Sequence, residues 1–423
     1  MIDDRRPLGE FVRHTACRFC QGLRLVKFLD FGKVPLAGGF IREDQFAEEK
    51  FYPLEVYFCQ DCALVQVTNA VPGEVLFRNY FYYSSAIQTL VAHFRDLAAE
   101  IAGRFARPGR SLVVELGCND GVLLKPLLAE GLSCVGVDPA TNVVAASGLP
   151  PSVIVNDFFT EDVARRIRAE HGEADVIVSS FSFAHIDDMI EVMRGLDALM
   201  SDDAVFVFEV YYLGILMDEM QYDMIYHEHM SYYSVMALIL FFERFGMEVF
   251  DLKRIPLRAG TVRFYVRRRG RRHEAVSASV GEALADERRK RFDAVETYLK
   301  FAERVKTTKV DLLAVLERLK AAGKSIIGYG ASGRATTIMT YCGIDGRYLD
   351  YMVDDAPAKH GLYTPGTHVR IGPWDGPAGR PQADYALVFA WSFIEEVRKR
   401  RISYLRDGGK FIVPLPSVRI LAE

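Results

Sequence analysis

Tyr226-His227-Glu228-His229 places a phenol, a carboxylate and two imidazoles within four consecutive residues. Such a cluster supplies a base with pKa near neutrality and a group that can steady a developing anion, as proton abstraction needs. The spacing is not His-Glu-x-x-His, so a zincin reading fails. A set of hydrogen-bonded loop or core polar groups is the alternative, which an isolated histidine would favour more than this cluster does. Two other stretches are placed to reach the same pocket. Tyr82 sits in the aromatic run Asn79-Tyr80-Phe81-Tyr82-Tyr83-Ser84-Ser85, which by itself reads first as a core seam. His185, in Phe183-Ala184-His185-Ile186-Asp187-Asp188, reads either as a helix-start residue or as a pocket wall.

The cysteines carry a second chemistry. Cys17-Arg18-Phe19-Cys20 and Cys59-Gln60-Asp61-Cys62 are two Cys-x-x-Cys pairs. Two intervening residues let both thiolates of a pair turn toward one cation, and two pairs give the four sulfurs of a tetrahedral zinc site. Four sulfurs leave no open position, so the zinc is expected to be structural. Reduced, metal-free turns or a redox pair are the alternatives, although redox chemistry needs only one pair. The stretch between the pairs holds Gly32, Pro35, Gly38 and Gly39 and reads as a looped insertion rather than a second helix. The other three of the seven cysteines stand in apolar surroundings and read as buried thiols of a reducing cytoplasm.

The third feature is a strand, a glycine turn and a helix from Ser111 onward, with Glu115-Leu-Gly117-Cys118-Asn119-Asp120-Gly121 at the turn. Glycines there let backbone approach a ligand closely. The turn is neither a GxGxxG fingerprint nor a P-loop. Asp138, closing a second strand from Cys134, suits a ribose diol. Asn156-Asp157-Phe158 follows a third strand from Ser152 and suits an adenine edge and face. Asp157 could instead cap the helix beginning near Thr160-Glu161. Strands over Ala174–Ser180 and Ala204–Val210 complete the sheet. This ordered set resembles the class I S-adenosylmethionine (SAM)-dependent methyltransferases. The cofactor set that the likeness gives is Glu115, Gly117, Asn119, Asp120, Gly121, Asp138, Asn156, Asp157, Phe158 and Ser179. In an open α/β sheet ligands lie beyond the carboxyl ends of the strands, so the Tyr226–His229 segment, which leaves the fifth strand, should border the methyl donor.

These features divide the chain into a zinc-binding module over 1–72, an α/β methyltransferase domain over 73–270, a charged helical linker over 271–322 and a second α/β domain over 323–423. Gly323 reads as the residue ending the linker helix. The 423 residues are half hydrophobic and 26% charged, which argues against long disorder. Fifty-two basic against 56 acidic side chains give a net charge of −4, with no basic excess for nucleic acid. No apolar run approaches the roughly 18 residues of a membrane span. The polar start, MIDDRRPLGEF, has no signal-peptide core, and a cytoplasmic location is expected.

Taken whole, the sequence resembles the bacterial SAM-dependent C-methyltransferases of nucleotide-linked ketosugars, of the deoxysugar 3-C-methyltransferase type. The resemblance rests on both cysteine pairs, Pro35-Leu36-Ala37, Tyr82 with Ser84-Ser85, the Glu115–Gly121 turn, and Tyr226–His229 with Ser231-Tyr232-Tyr233. It continues through Gly328–Arg334, Val353–Lys359, Pro365-Gly366-Thr367, Ala390-Trp391 and Phe411–Pro416. It implies a zinc-bearing N-terminal module, a central Rossmann-like SAM domain and a C-terminal Rossmann-like domain, with the sugar nucleotide between the outer modules. The implied reaction removes the proton on carbon 3, acidified by a ketone at carbon 4, and the enolate takes the methyl of SAM. By this resemblance His229 is the base, with Tyr226 and Glu228 beside it, and Tyr82 reaches the sugar. Tyr226 could instead hold the enolate oxygen.

Ser325–Arg334 is a further strand, glycine turn and helix start, and helix N-termini bind phosphate well. The resemblance implies a Rossmann unit without a dinucleotide. Gly330, Ser332 and Arg334 are therefore assigned to the substrate diphosphate, with Lys359 and His360 as weaker partners. A turn that merely packs helix on strand is the alternative. Ala335-Thr336-Thr337 follows Arg334, where the family usually has a Lys near this position followed by Gly and Asn. That departure leaves the sugar or nucleotide contact open. The basic run Arg267-Arg268-Arg269-Gly270-Arg271-Arg272 reads as a solvated strand end. Expected partners are a TDP-, GDP- or CDP-linked 4-ketosugar, with oligomeric state open. Methylation at carbon 5, O- or N-methylation, a non-catalytic scaffold, and an NAD enzyme using Asp354-Asp355 are the other readings.

Overall fold

Seven strands form the central sheet, in the spatial order Met247–Ile255, Thr261–Arg268, Met200–Tyr211, Ala174–Ser180, Leu112–Leu116, Ser133–Val137, Ile154–Val155. The last five run parallel, and Thr261–Arg268 is antiparallel to both of its neighbours. The computed structural model describes residues 9–80, 82–257, 260–271, 274–375 and 383–423; Phe81 and Arg272 lie outside them. Parallel strands covered on both faces should be apolar throughout. Accordingly Val113, Val176 and Val207 face the helices Gln88–Arg104 and Leu124–Ala129, while Val114, Ile177 and Phe208 face Glu161–His171, Met189–Leu199 and Val235–Glu243. The strand order reverses between Leu112–Leu116 and Ala174–Ser180, and a crevice opens there at the carboxyl ends.

The stretch between the cysteine pairs is more regular than a looped insertion. Leu25–Val34 and Tyr52–Cys59 pair antiparallel, and Val65–Val67 adds to them. Gly32, at φ +75°, occupies a register shift between Asp30 and Lys33, and Asp30 accepts its N–H at 2.8 Å. A glycine in a strand there marks a bulge, not a loop. The fourth strand of this sheet, Ser231–Tyr232, comes from the segment following His229 and pairs with Gln66 and Val65.

The C-terminal sheet has six strands, in the order Ile371–Gly372, Met352–Val353, Ile326–Tyr329, Tyr385–Val388, Lys410–Val413, Arg419–Leu421, all parallel except the last. The linker is two helices, Ala278–Arg289 and Val295–Ala321. Gly323 at φ +70° follows the C-cap Ala322 of the second. That helix joins the outer modules. Tyr298 stacks on Phe58 at 4.5 Å, and Leu312, Leu316 and Leu319 share one buried cluster with Phe28 and Val56 and with Ile338 and Leu387.

The basic strand end is less solvated than its charge implies. Arg267 is buried and donates to Glu248 at 2.9 Å, and Arg268, Arg269 and Arg271 pair with Asp197, Glu243 and Asp202.

Candidate active site

One cavity of about 500 Å³ runs from the glycine turn to the Tyr226–His229 segment; Glu115, Gly117, Asp138 and Phe158 line one part, and Tyr226, Glu228 and His229 another. Gly117 adopts φ +74°, and a Cβ there would fall 2.5 Å from Cβ of Ser182. The Ser182 hydroxyl donates to the Leu116 carbonyl at 2.6 Å and lies 2.7 Å from the Ser179 hydroxyl, which braces the turn from below. Glu115 is buried and its Oε2 has no hydrogen-bond partner among the described residues. Burial, then the charges of Asp138 and Asp120, push its pKa well up. A lone carboxyl oxygen at a cavity wall beside backbone that only glycine fits is a donor-seeking cradle. It suits a ligand that brings an ammonium or hydroxyl, and SAM brings both.

Other predicted cofactor residues act around this cradle. Asn119 and Phe158 also line the cavity. Asp138 accepts the N–H groups of Asn119 and Ala140, both at 2.8 Å, so it shapes the glycine turn as well as facing the ligand. Asp120 accepts the hydroxyl of Ser85 at 2.5 Å. Asn156 donates to the Asp138 carbonyl at 2.8 Å. Asp157 accepts its neighbour Phe158 N–H and stands 3.7 Å from Arg78. The helix cap considered for it falls to Thr160, whose hydroxyl accepts the Val163 N–H. Gly121, at φ +73°, closes the turn. Asp120, Gly121, Asn156, Asp157 and Ser179 are not among the cavity-lining residues.

The Tyr226–His229 segment is held from several sides. The Met230 N–H donates to the Ala184 carbonyl, the Val67 N–H donates to the Met230 carbonyl, and Thr337 donates to the Ile225 carbonyl at 3.0 Å. His229 Nδ1 lies 2.6 Å from the Met224 carbonyl. A carbonyl only accepts, so Nδ1 carries the proton and Nε2 is left bare. The ring packs against Tyr226 at 4.0 Å, His185 at 5.3 Å and Tyr211 at 5.4 Å. Burial, opposed by the Met224 hydrogen bond and aided by the Arg334 charge, pushes its pKa down to about 4. His185 is both turn residue and cavity wall, and burial with the His229 charge brings it to about 3. Burial and then Glu228 push the Tyr226 phenol well above its ordinary value. Burial also raises Glu228, against a hydrogen bond donated by Tyr80 at 3.0 Å. Tyr82 lines the same cavity, and its carbonyl accepts from Asn119 at 3.0 Å.

The cysteine sulfurs all lie within 4.8 Å of one another. Four sulfurs around one zinc stand about 3.8 Å apart, so the cluster fits the metal. Both knuckles share one backbone plan: Gln21 and Ala63, one past each pair, take φ of 59° and 60°, and each N–H returns to the carbonyl of the pair's first cysteine. Arg18, inside the first pair, donates to Asp187 at 2.8 Å, and Asp187 lines the cavity. Phe19 stacks on Phe241 at 3.8 Å. The zinc module is thereby fastened to the wall of the central pocket.

On the predicted substrate side, Ser332, Arg334 and Lys359 each have partners within the protein. Ser332 caps helix Gly333–Cys342, its hydroxyl accepting the Ala335 N–H. Gly330, at φ +94°, packs on Ala390. Gly333 faces Ala37, and a Cβ there would come 3.7 Å from the ring of Tyr226. Arg334 donates through Nε and Nη2 to Asp223, at 2.8 and 3.1 Å, and through Nη1 to Ser392 at 3.0 Å. Lys359 donates to the Ala331 carbonyl at 2.7 Å and to Asp354 at 3.1 Å. His360 Nε2 donates to the Asp354 carbonyl at 2.8 Å. Asp355 pairs with Arg400, Arg401 and Tyr329. Tyr80, Tyr211, Asp187 and Asp223 received no site role from the sequence. Tyr80 and Asp187 lie in the two stretches read as reaching the pocket, whereas Asp223 meets its partner Arg334 111 residues away and nothing local announces it.

Residues 17–77 match a family model described as a zinc binding domain, 85–252 a methyltransferase domain and 256–416 a C-methyltransferase C-terminal domain. The C-methyltransferase NovU of Streptomyces niveus is 32% identical over 423 residues, 100% of this chain and 99% of NovU. Among solved structures, the PH0226 protein of Pyrococcus horikoshii OT3 overlays 44% of this chain and 95% of its own at TM-score 0.35 and 12% identity. The glycopeptide N-methyltransferase MtfA overlays 42% of this chain and 87% of its own at TM-score 0.31 and 15% identity. The central fold and its domain match define a class I SAM-dependent methyltransferase. Its cofactors are SAM and zinc. The chain belongs to the C-methyltransferase family that includes NovU, and it is a SAM-dependent C-methyltransferase. No helix among the described residues is long and apolar enough to cross a membrane.

Proposed function

We propose that this enzyme methylates the carbon beside the ketone of a nucleotide-linked 4-ketosugar, carbon 3 by default. The observation that supports this best is the single cavity joining the Glu115–Gly117 cradle to the Tyr226, Glu228 and His229 side chains. SAM, held by Glu115, Gly117, Asp138 and Phe158, supplies an electrophilic methyl group. The chain's own residues must then generate a carbon nucleophile.

His229 is the base in this reading. With Nδ1 tied to Met224 and the pKa near 4, the imidazole is neutral at neutral pH and Nε2 can take a proton. Tyr226 stays protonated and is the donor for the enolate oxygen, since its phenol is pushed well above neutrality. The two roles follow from opposite protonation states of neighbouring groups. A base this weak needs that stabilisation as the proton leaves. Glu228 and Tyr80 complete the acidic side of the pocket, and Tyr82 faces the sugar. The sugar-nucleotide diphosphate is assigned to the turn Gly330–Ser332 and the start of its helix, which adjoins Tyr226.

The test is deuterium wash-in from heavy water, with TDP-, GDP- and CDP-linked 4-keto-6-deoxyhexoses, read by mass and ring position. Exchange at carbon 3 without SAM, followed by gain of one methyl with SAM, is expected in wild type. His229→Gln is expected to lose exchange and turnover while still binding SAM. Exchange at carbon 5 would move the site of methylation, and near-normal turnover by His229→Gln would sink the base assignment.

A further inference from the structure

Asp223 is fully buried, yet its partners come from the far end of the chain. Oδ1 and Oδ2 accept the Arg334 fork, and Oδ2 also accepts Trp391 Nε1 at 2.8 Å. The Arg334 guanidinium lies 4.9 Å from the centre of the Trp391 ring. A carboxylate buried this deeply needs such a set of donors, and a planar fork matches it better than a point charge. The next residue, Met224, gives the carbonyl that fixes the Nδ1 proton of His229. Two residues on, the Ile225 carbonyl accepts Thr337 from the same C-terminal helix as Arg334. The backbone that orients the imidazole is therefore anchored at both sides to Gly333–Cys342.

We propose that Asp223 and Arg334 are positioning residues: their buried pair lets the C-terminal domain set the tautomer and aim of His229, and Arg334 is not a diphosphate ligand. The mechanistic consequence rests on His229 being the base, whereas the coupling itself does not. The groups facing His229 are His185, Tyr211 and Tyr226, with Glu228 beside it in sequence and the Arg334 charge behind. Burial raises Glu228 and both phenols, Asp223 offsets part of the Arg334 charge, and burial outweighs that charge in lowering His229.

The experiment uses zinc-loaded full-length protein labelled with ¹⁵N-histidine, with the His229 signals assigned by their loss in His229→Gln. Wild type is expected to show protonated Nδ1, bare Nε2 and a titration midpoint near 4. Arg334→Met should average the two tautomers and raise the midpoint only modestly, because burial, the larger cause of its lowering, remains. Arg334→Lys should keep the low midpoint, because the charge remains, but average the tautomers, because the fork is lost. Trp391→Phe removes one donor and leaves the ring, and it serves as the milder variant if Arg334→Met does not fold; it should average the tautomers in part. An unchanged tautomer in Arg334→Met, or in Trp391→Phe if only that variant folds, would overturn the proposal. Kinetics with a TDP-linked 4-keto-6-deoxyhexose add a second readout. Arg334→Lys should lower kcat on the order of 10- to 100-fold with KM little changed. A raised KM with kcat kept would instead make Arg334 a phosphate ligand. Exchange surviving in His229→Gln would remove the base reading and leave the tautomer result to judge the coupling by itself.

Discussion

His227 is 1% exposed, and its two ring nitrogens have unequal fates. Nε2 donates to the Pro53 carbonyl at 3.1 Å, while Nδ1 is buried with no hydrogen-bond partner among the described residues. Protonation would place a charge on that bare nitrogen, and burial accordingly pushes the pKa down to about 4. In the unfolded chain a histidine titrates near about 6.5. As pH falls, the unfolded state takes the proton first, so the stability present above about 6.5 erodes until about 4 and then levels off. Full erosion for a shift from about 6.5 to about 4 is about 3 kcal/mol, of which about 2 kcal/mol falls between pH 7 and pH 5. Urea unfolding at the two pH values, in wild type and His227→Phe, isolates this amount. The zinc thiolates and the other histidines titrate in both proteins and cancel in the difference. The variant is expected to be less stable at pH 7, having lost the bond to Pro53, but to lose about 2 kcal/mol less on acidification. Equal losses within about 0.5 kcal/mol would refute the reasoning, because a smaller difference is within the scatter of independent measurements.

Two further outcomes follow from the pocket. Gly117→Ala forces a Cβ to 2.5 Å from Ser182 at φ +74°, so SAM binding measured by calorimetry should weaken by roughly tenfold or more, about 1.4 kcal/mol, while one zinc per chain remains. Arg18→Met should keep zinc but weaken SAM binding, since it leaves Asp187 at the cavity wall held by His14 alone; unchanged affinity would show that the Arg18 bond is only structural.

The parts legible in sequence are those written in adjacent residues. The four cysteines, the Glu115–Gly121 turn and the Tyr226–His229 run each announce themselves by spacing, and the sheet follows from apolar runs that a parallel strand requires. Arg334 shows where this stops. Its place at a helix start beside a glycine turn reads as an anion site, yet a carboxylate 111 residues away already occupies the fork. Local sequence specifies that a cation stands at a helix end; which anion meets it is decided by tertiary packing. Asp157 and Thr160 make the same point on a smaller scale, since either could cap the helix and the backbone path selects Thr160. The hairpin between the cysteine pairs was obscured by Gly32, whose bulge resembles a loop in sequence alone.

The buried cluster shared by Phe28, Val56 and Phe58 with Leu312, Ile338 and Leu387 has a consequence for synthesis. The N-terminal sheet is made first, but the side chains that cover one of its faces come from Leu213–Ile225 and from Phe292 onward, and its fourth strand comes from Ser231–Tyr232. At roughly 5–20 residues per second, the ribosome needs on the order of 20–70 s after Cys62 to deliver the rest of the chain. During that interval zinc can close the two knuckles, because all four cysteines have already emerged. Early metal capture would hold the nascent sheet in register while its apolar face awaits its cover, making zinc supply a determinant of soluble yield.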